Sequence, residues 1–504
     1  MRREKGQALI LFAIFIVVLL GFIGLAIDVG RIYVAIGSLR RAVDAASLGA
    51  ASQFREGRTI SEMTAMATQI MNMNGVSPAS IVVEDCPHAV ISGDPVLCVS
   101  PRRKYVRVTA SANVQMTFLR VININQLSIS ANAIGEAASL DVVLVIDISE
   151  SMAQYQSDHP TDTPPHHAGD QFDPSVCNAD NSCQPFEKVR AAANDFVDRI
   201  LDLPIAQESD RLAIVYFSNG WQSDPVKYSY GNNNGATDVV SPGWMTDKAT
   251  AHAAVNSLKV FQPPACNPNG IAPIAGTCLL YDSGNFQGIE CPAYRNSDPN
   301  DPSSCTTTNT GGGLTLAGNM FADQSRPDAL WVVIFLSDGA ANASNATSGH
   351  TYGYCPDSDW DSPFCRDLFA STRHVGSSDP LHYDADDYAR DSADFVGCYQ
   401  TNPAPACAYL PHGGQGALIF TIGLGNQVTK NYPGGDLPAG VALLRYIAAA
   451  GDDGNPATDL CSGYYGNMAG WQTNCGNYYY DATGNKLIPV FEEIASRIFT
   501  RISR

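Results

Sequence analysis

An uncharged apolar run near the N-terminus constrains this chain more than any other feature. Residues 8–27 read ALILFAIFIVVLLGFIGLAI. At a helical rise of about 1.5 Å per residue, such a run spans about 30 Å, the thickness of a bilayer's hydrocarbon core. A cleaved signal peptide has a shorter apolar region of about 7–15 residues, and a buried core helix would have a polar face. The run therefore predicts a retained transmembrane helix over 8–27, with 1–7 as a short flanking segment.

Charge argues against one class of function. The chain has 50 acidic and 31 basic side chains in 504 residues, a formal net charge of −19. A general nucleic-acid binder needs a basic face to neutralise phosphates, so we expect no nucleic-acid partner. Basic residues stand on both sides of the apolar run, so charge alone favours a cytoplasmic N-terminus only weakly.

Cysteine usage supplies the missing evidence on orientation. The fourteen cysteines fall into close successive pairs, in segments rich in Gly, Pro and Asn, without the short CxxC spacing of zinc knuckles. Nearest-neighbour disulfides are one hypothesis among many connectivities: Cys86/Cys98, Cys177/Cys183, Cys266/Cys278, Cys291/Cys305, Cys355/Cys365, Cys398/Cys407 and Cys461/Cys475. Disulfides persist in oxidising compartments. We therefore expect a single-pass protein of the cell membrane, with a cytoplasmic N-terminus and the bulk of the chain extracytoplasmic.

The helical pattern continues past the apolar run. Residues 28–51 contain no proline, and apolar residues recur with a 4-3-4-3-4 spacing at Ile32, Ile36, Leu39, Val43, Ala46 and Ala50. This stripe predicts a stalk helix that packs on the chain's own next domain, with self-association as the alternative. Residues 28–138 are interpreted as this stalk plus a small α+β domain, with a helix over 60–73. Short strands are predicted at 80–83, 105–110, 114–119 and 127–131.

The N-terminal segment resembles a known family. Its Gly6-Gln7 start, its apolar run ending in Ile27-Asp28-Val29-Gly30 and its Arg41…Asp44-Ala45-Ala46 stretch are similar to the TadE/TadG-like N-terminal region of Flp (tight adherence) pilus-assembly proteins. The resemblance implies a role in pilus assembly. Pilin-type members carry a Glu five residues after the Gly at which prepilin peptidase cuts. Here that position is Leu11, which leaves cleavage after Gly6 open.

Residues 139–504 alternate continuous apolar runs with amphipathic helical patterns. The runs 141–146, 212–217, 330–336 and 417–422 predict strands buried on both faces. Helical spacing recurs at 186–200, 253–260, 314–321, 441–449 and 487–502. This alternation predicts an α/β fold with a doubly wound, mostly parallel, Rossmann-like sheet. Ligands of such sheets bind beyond the carboxyl ends of the strands.

Oxygen-bearing side chains stand where those strands and helices begin or end. Asp147, Ser149 and Ser151 follow the first strand, Thr308 precedes a helix, and Asp338 follows the third strand. A hard dication such as Mg²⁺ prefers about six oxygen ligands, usually including water. Two carboxylates only just neutralise the ion, so it could still accept a carboxylate from a partner. These residues are candidate metal ligands.

The arrangement resembles the metal-ion-dependent adhesion site of von Willebrand factor type A domains. The DxSxS pattern corresponds to Asp147, Ser149 and Ser151, the family's Thr to Thr308 and its third-strand Asp to Asp338. The family usually has glycines before the Thr, so Thr307 and Thr310 remain alternatives to Thr308. The resemblance implies Mg²⁺ binding, with Mn²⁺ or Ca²⁺ also expected to bind, and a protein ligand that offers a carboxylate.

Three long segments are expected to emerge on the metal-bearing face. Residues 153–184, 262–307 and 340–383 hold eight of the fourteen cysteines. Long loops are usually functional, which predicts a disulfide-braced specificity surface, although surface insertions are also tolerated cheaply. The acidic stretch 384–391 is interpreted as a helix start with a solvated face.

Together these features predict a membrane-anchored, exported protein that binds a protein partner through Mg²⁺, in pilus assembly or surface adhesion. The alternative is a structural scaffold of the envelope or pilus whose metal site is idle. A metal-dependent enzyme is less favoured because the sequence places no general base near the metal. The sequence does not identify the ligand or the oligomeric state.

Overall fold

The computed structural model describes residues 7–53, 59–86, 98, 104–153, 174–201, 209–218, 237–260, 281–282, 285–286, 308–326, 328–345, 354, 369–376, 382–431, 435–464 and 466–501. The chain divides into two compact units. The first contains 1–139, 203–209 and 499–504, and the second contains 140–202 and 210–498.

The first unit combines two helices with a three-stranded antiparallel sheet of order β1-β2-β3. Its elements are α1 (Gln7–Ala51), α2 (Ile60–Met73), β1 (Ser80–Asp85), β2 (Lys104–Gln115) and β3 (Gln126–Ala137). Within the described residues, α1 is the one helix that is long and apolar enough to cross a membrane. The expected continuous helix through the apolar run and stalk is therefore confirmed.

The apolar stripe of α1 packs on the first unit's own sheet and on α2. Leu39, Val43, Ala46 and Ala50 are buried, and Ile36 packs against the same core. This confirms intramolecular packing of the stripe.

The predicted strands of this unit are partly wrong. Residues 105–110 and 114–119 were expected to form two strands, but β2 is one strand that runs through Ser111, Ala112 and Asn113 and ends at Gln115. Residues 119–122 form a 3-10 turn instead. Cross-strand pairing with β3 continues along the whole length of β2, which outweighs the local break in the apolar pattern.

The second unit is built on a six-stranded sheet of order β11-β10-β9-β4-β5-β6. Its strands are β4 (Ser139–Asp147), β5 (Arg211–Phe217), β6 (Asp238–Val239), β9 (Ala329–Ser337), β10 (Leu418–Leu424) and β11 (Tyr478–Asp481). A separate two-stranded ribbon is formed by β7 (Tyr281–Asp282) and β8 (Asn285–Phe286). The pairs β4·β5, β9·β10 and β10·β11 are parallel, and the edge strand β6 is antiparallel.

Renumbered along the chain, the six strands have the order 3-2-1-4-5-6, that of a doubly wound sheet. The helices of this unit are α3 (Pro174–Asp180), α4 (Phe186–Ile200), α5 (Lys248–Ser257), α6 (Thr310–Asp323), α7 (Ala385–Gly397), α8 (Gly425–Val428), α9 (Ala439–Asp453), α10 (Met468–Trp471) and α11 (Leu487–Arg501). The predicted α/β class with a mostly parallel sheet is confirmed.

The core explains why the strands are apolar without alternation. Val143 and Val145 of β4 belong to the cluster that includes residues of α6, α7 and α9. Val142 and Leu144, which point to the other face, are also buried. Strands covered on both faces need apolar residues at successive positions.

Four predicted disulfides are present: Cys86–Cys98, Cys177–Cys183, Cys398–Cys407 and Cys461–Cys475. The other three predicted pairs lie outside the described residues, as do most of the three long segments expected on the metal-bearing face.

Candidate metal centre

Four of the five predicted ligands, Asp147, Ser149, Ser151 and Asp338, lie together at one edge of the second unit's sheet. Asp147 is the last residue of β4, and Asp338 directly follows β9. These two strands are neighbours, although they are first and fourth in chain order. The strand order therefore reverses between them. In doubly wound sheets this switch point opens a crevice beyond the strand ends, where ligands bind.

A chain of hydrogen bonds links four of the five predicted ligands. The Ser149 backbone N–H donates to Asp147 Oδ1 at 2.8 Å. The hydroxyls of Ser149 and Ser151 lie 2.9 Å apart, and Ser151 Oγ donates to Asp338 Oδ1 at 2.9 Å. The i, i+2 spacing of the serines thus places both hydroxyls on the side that faces Asp338.

Thr308 is held at the start of α6 through its backbone. Its N–H donates to Asn342 Oδ1 at 2.6 Å, and the Asn342 N–H donates to the Thr308 carbonyl at 3.2 Å. Asn309 caps α6 by accepting the Gly312 N–H at 3.0 Å, and its own N–H donates to the Ser218 carbonyl beyond β5. These bonds fix Thr308 to the loop that follows Asp338.

The carboxylates of the site are deeply buried. Asp147 and Asp338 are fully buried, and Ser149 is nearly so. Burial raises the pKa of Asp147 to about 6, although hydrogen bonds from Ser149, Ser337 and the Asp338 amide act in the opposite direction. These opposing donors are neutral, so they solvate the carboxylate without balancing its charge.

Sequence reasoning missed three supporting residues. Ser337 Oγ donates to Asp147 Oδ2 at 2.7 Å and so fixes the second carboxylate oxygen. Asn309, which directly precedes a helix, carried an N-cap signal that could have been recognised. Asn342 carried no local signal, because its partner Thr308 lies 34 positions earlier in the chain.

The residue types present fit a hard divalent cation. The site offers two carboxylates and the hydroxyls of Ser149, Ser151 and Thr308, the oxygen donors that Mg²⁺ and Ca²⁺ accept. The Thr310 hydroxyl oxygen, in the first turn of α6, is also buried without a hydrogen-bond partner among the described residues. Buried polar atoms normally have partners, so this one is consistent with a ligand near the start of α6.

A second acidic group in this unit has a different character. The carboxylates of Asp384, Asp386 and Asp387 lie within 4.8 Å of one another. Arg390 pairs with Asp386 at 2.8 Å, and Asp384 caps α7. The helix start predicted at 384–391 is confirmed, but the solvated face is wrong, because these residues are buried. Their ion pairs with Arg390 explain how an acidic face can turn inward.

Comparison with known families supports the N-terminal resemblance. Residues 6–53 match the family model described as Flp pilus-assembly TadE/G-like. The TadE/G-like character of the N-terminus, expected from its first fifty residues, is therefore confirmed. No curated protein matches the chain in sequence.

Solved structures similar to the chain include two pilus proteins. The pilus adhesin SpaC from Lactobacillus rhamnosus GG is 14% identical with a TM-score of 0.37, over 79% of this chain and 33% of SpaC. The vWF domain of the type V pili tip protein Mfa5 from Porphyromonas gingivalis is 16% identical with a TM-score of 0.32, over 73% of this chain and 97% of that domain. The chain thus spans about a third of the length of SpaC.

Proposed function

We propose that this chain is a membrane-anchored, pilus-associated binding protein that engages a protein partner through a divalent cation. In this proposal Asp147, Ser149, Ser151, Thr308 and Asp338 hold the cation, with Mg²⁺ as the expected ion and Mn²⁺ or Ca²⁺ as substitutes. The bound ion would supply an open coordination position for a carboxylate of the partner.

One observation carries the proposal. The hydrogen-bonded series from Asp147 through Ser149 and Ser151 to Asp338 lies at the switch point of the sheet. These side chains orient one another: the serines turn toward Asp338, while Ser337 holds Asp147 from the other strand. A cation would replace the hydrogen bonds between ligands with bonds to itself, so little rearrangement would be needed.

The envelope location has separate support. The TadE/G-like match covers the apolar run, and α1 is exposed along that run, as a lipid-facing helix would be. Four disulfides lie in the described part of the chain, which favours an oxidising compartment. We therefore propose that the N-terminus is cytoplasmic and that the chain beyond residue 27, including the sheets of both units, is extracytoplasmic.

Calorimetric titration of the full chain in lipid nanodiscs with Mg²⁺ tests the metal site. We expect one site per chain in the wild type and none in Asp147→Ala. The matched control is Asp386→Asn, which alters the other buried acidic group and should retain binding. Loss of binding in Asp386→Asn with retention in Asp147→Ala would reject the assignment.

Partner binding separates this proposal from the scaffold alternative. Labelled full-length protein should bind cells of the source strain in Mg²⁺ but not in chelator, and Asp147→Ala should bind in neither condition. Equal binding of wild type and Asp147→Ala with and without Mg²⁺ would favour a scaffold with an idle metal site. Mg²⁺-dependent turnover of a co-purified envelope component would instead favour an enzyme.

A further inference from the structure

The apolar part of α1 is covered by other residues of its unit at one place along the helix axis. Over residues 9–30, every side chain of α1 is exposed except at Gly24 and Asp28. These two residues are four positions apart, so they lie on the same face of the helix. The element that covers them is the turn between β2 and β3, which belongs to the same unit.

Specific contacts fasten this turn to the helix. The Asp28 carboxylate accepts hydrogen bonds from the backbone N–H groups of Thr117, Phe118 and Leu119 at 2.7–2.9 Å. Arg31 adds a hydrogen bond to the Thr117 hydroxyl. A Cβ added at Gly24 would lie 2.7 Å from the Phe118 Cβ, so only glycine lets Phe118 approach this closely. These contacts hold the β2–β3 connection beside the last helical turn of the apolar run.

The 117–127 loop, which includes the first two residues of β3, exposes large apolar side chains beside one basic residue, Arg120, and a few neutral polar residues. Five large apolar side chains are exposed there: Phe118, Val121, Ile122, Ile124 and Leu127. Val121 is 88% exposed and Ile122 is 66% exposed. No acidic residue occurs from 104 to 135, in a chain that has 50 acidic side chains in 504 residues. The loop therefore lacks the charges that anionic headgroups would repel.

We propose that the 117–127 loop inserts into the outer interfacial layer of the bilayer beside α1, as a second membrane contact. This inference rests on the proposed insertion of residues 8–27. Gly24 lies about 6 Å before Asp28 along the helix axis, so Phe118 sits within the depth of the apolar run. Interfacial elements bury apolar side chains about 5–10 Å into the headgroup and acyl boundary, which matches this level. The partner assigned to this loop is lipid, because its exposed apolar side chains adjoin the lipid-facing surface of α1.

Photo-crosslinking of the full chain tests this contact. Benzoylphenylalanine replaces Val121 in one variant, Val17 of the apolar run in a second and Val82 of β1 in a third. Val82 is also an exposed valine. It pairs opposite Thr109, six residues before Gln115, or about 20 Å along the strand from the loop. Each variant is reconstituted in vesicles of phosphatidylethanolamine and phosphatidylglycerol and irradiated. Crosslinked adducts are then identified by mass spectrometry.

We expect phospholipid adducts at positions 17 and 121, with a yield at 82 several-fold lower than at 121. Adducts at 17 without adducts at 121 would overturn the loop contact and leave the membrane anchor standing. The absence of adducts at 17 would overturn the anchor itself. Equal yields at 82 and 121, or protein adducts at 121 in place of lipid, would also overturn the loop contact.

Discussion

The two ends of strand β4 each carry a fully buried aspartate, and their surroundings differ. Asp141, near the start, accepts hydrogen bonds from Arg211 at 2.8 and 2.9 Å and from Arg326. Asp147, at the end, accepts hydrogen bonds from the Ser149 amide and the Ser337 hydroxyl. The chain balances the charge of Asp141 with its own cations, whereas Asp147 receives neutral donors.

This difference separates a structural carboxylate from a candidate binding carboxylate. The two aspartates are equally buried, so burial alone does not distinguish them. The guanidinium of Arg211 also lies 4.1 Å from the centroid of the Trp244 ring, which ties the Asp141 pair into the apolar core. We therefore expect Asp141 to matter for stability and Asp147 to matter for cation binding.

The largest expected effect is at Asp141. Asp141→Ala should lower the free energy of unfolding by about 3–5 kcal/mol, because it leaves buried arginine charge without its partner. Urea denaturation followed by tryptophan fluorescence measures this effect, since the described tryptophans, Trp244, Trp331 and Trp471, lie in the second unit. A decrease in the free energy of unfolding of less than about 1 kcal/mol is typical of exposed ion pairs. Such a result would show that Asp141 is not a structural carboxylate in the sense proposed here.

The next effect is the stabilisation of the second unit by Mg²⁺. At a free concentration one hundred times the dissociation constant, Mg²⁺ should raise the free energy of unfolding by about 2.7 kcal/mol. Asp147→Ala should abolish this rise and should itself cost little stability without Mg²⁺. Asp141→Ala should start from a lower baseline but retain the rise. An equal Mg²⁺ response in wild type and Asp147→Ala would place the effect elsewhere.

A smaller effect is expected at Ser149. Ser149→Ala removes one proposed ligand and leaves both carboxylates, so the Mg²⁺ affinity should fall about tenfold, which corresponds to about 1.4 kcal/mol. Titration calorimetry measures the change. Ser257→Ala is the control, because the Ser257 hydroxyl donates to the Ala254 carbonyl within α5. This variant should bind Mg²⁺ like the wild type. Unchanged affinity in Ser149→Ala would exclude this hydroxyl as a ligand.

The smallest effect is at Ser337. Ser337→Ala removes one donor to Asp147 and should lower the free energy of unfolding by about 1 kcal/mol in the absence of Mg²⁺. The same substitution in an Asp147→Ala background should cost less, since the acceptor is already gone. Identical costs in the two backgrounds would show that Ser337 does not act through Asp147.

The parts of the fold that follow from local pattern were predictable. Continuous apolar runs predicted β4, β5, β9 and β10, and the DxSxS motif placed Asp147 at a strand end. Strands β6 and β11 were not predicted, because one has two residues and the other is a short tyrosine run. Segments this short show no hydrophobic periodicity, and the strands with which they pair are not adjacent in the sequence.

The supporting contacts of the site were less predictable than its proposed ligands. Ser337 reaches Asp147 across 190 positions, and Asn342 reaches Thr308 across 34. The first contact exists because the sheet brings the ends of β4 and β9 together, and the second because the start of α6 lies beside the loop that follows Asp338. The buried acidic face of α7 has a different cause: Arg390 stands only four positions after Asp386, but a local ion pair of this kind does not show whether the helix buries it.

The central claim is that a divalent cation is held between the carboxyl ends of β4 and β9. Crystals of the protein grown with Mn²⁺ in place of Mg²⁺, with anomalous diffraction measured at the manganese edge, locate the ion directly. We expect one strong peak within bonding distance of the Asp147 and Asp338 carboxylates and the Ser149 and Ser151 hydroxyls, and no such peak in Asp147→Ala. A peak at Asp384, Asp386 and Asp387 with none beside Asp147 would contradict it.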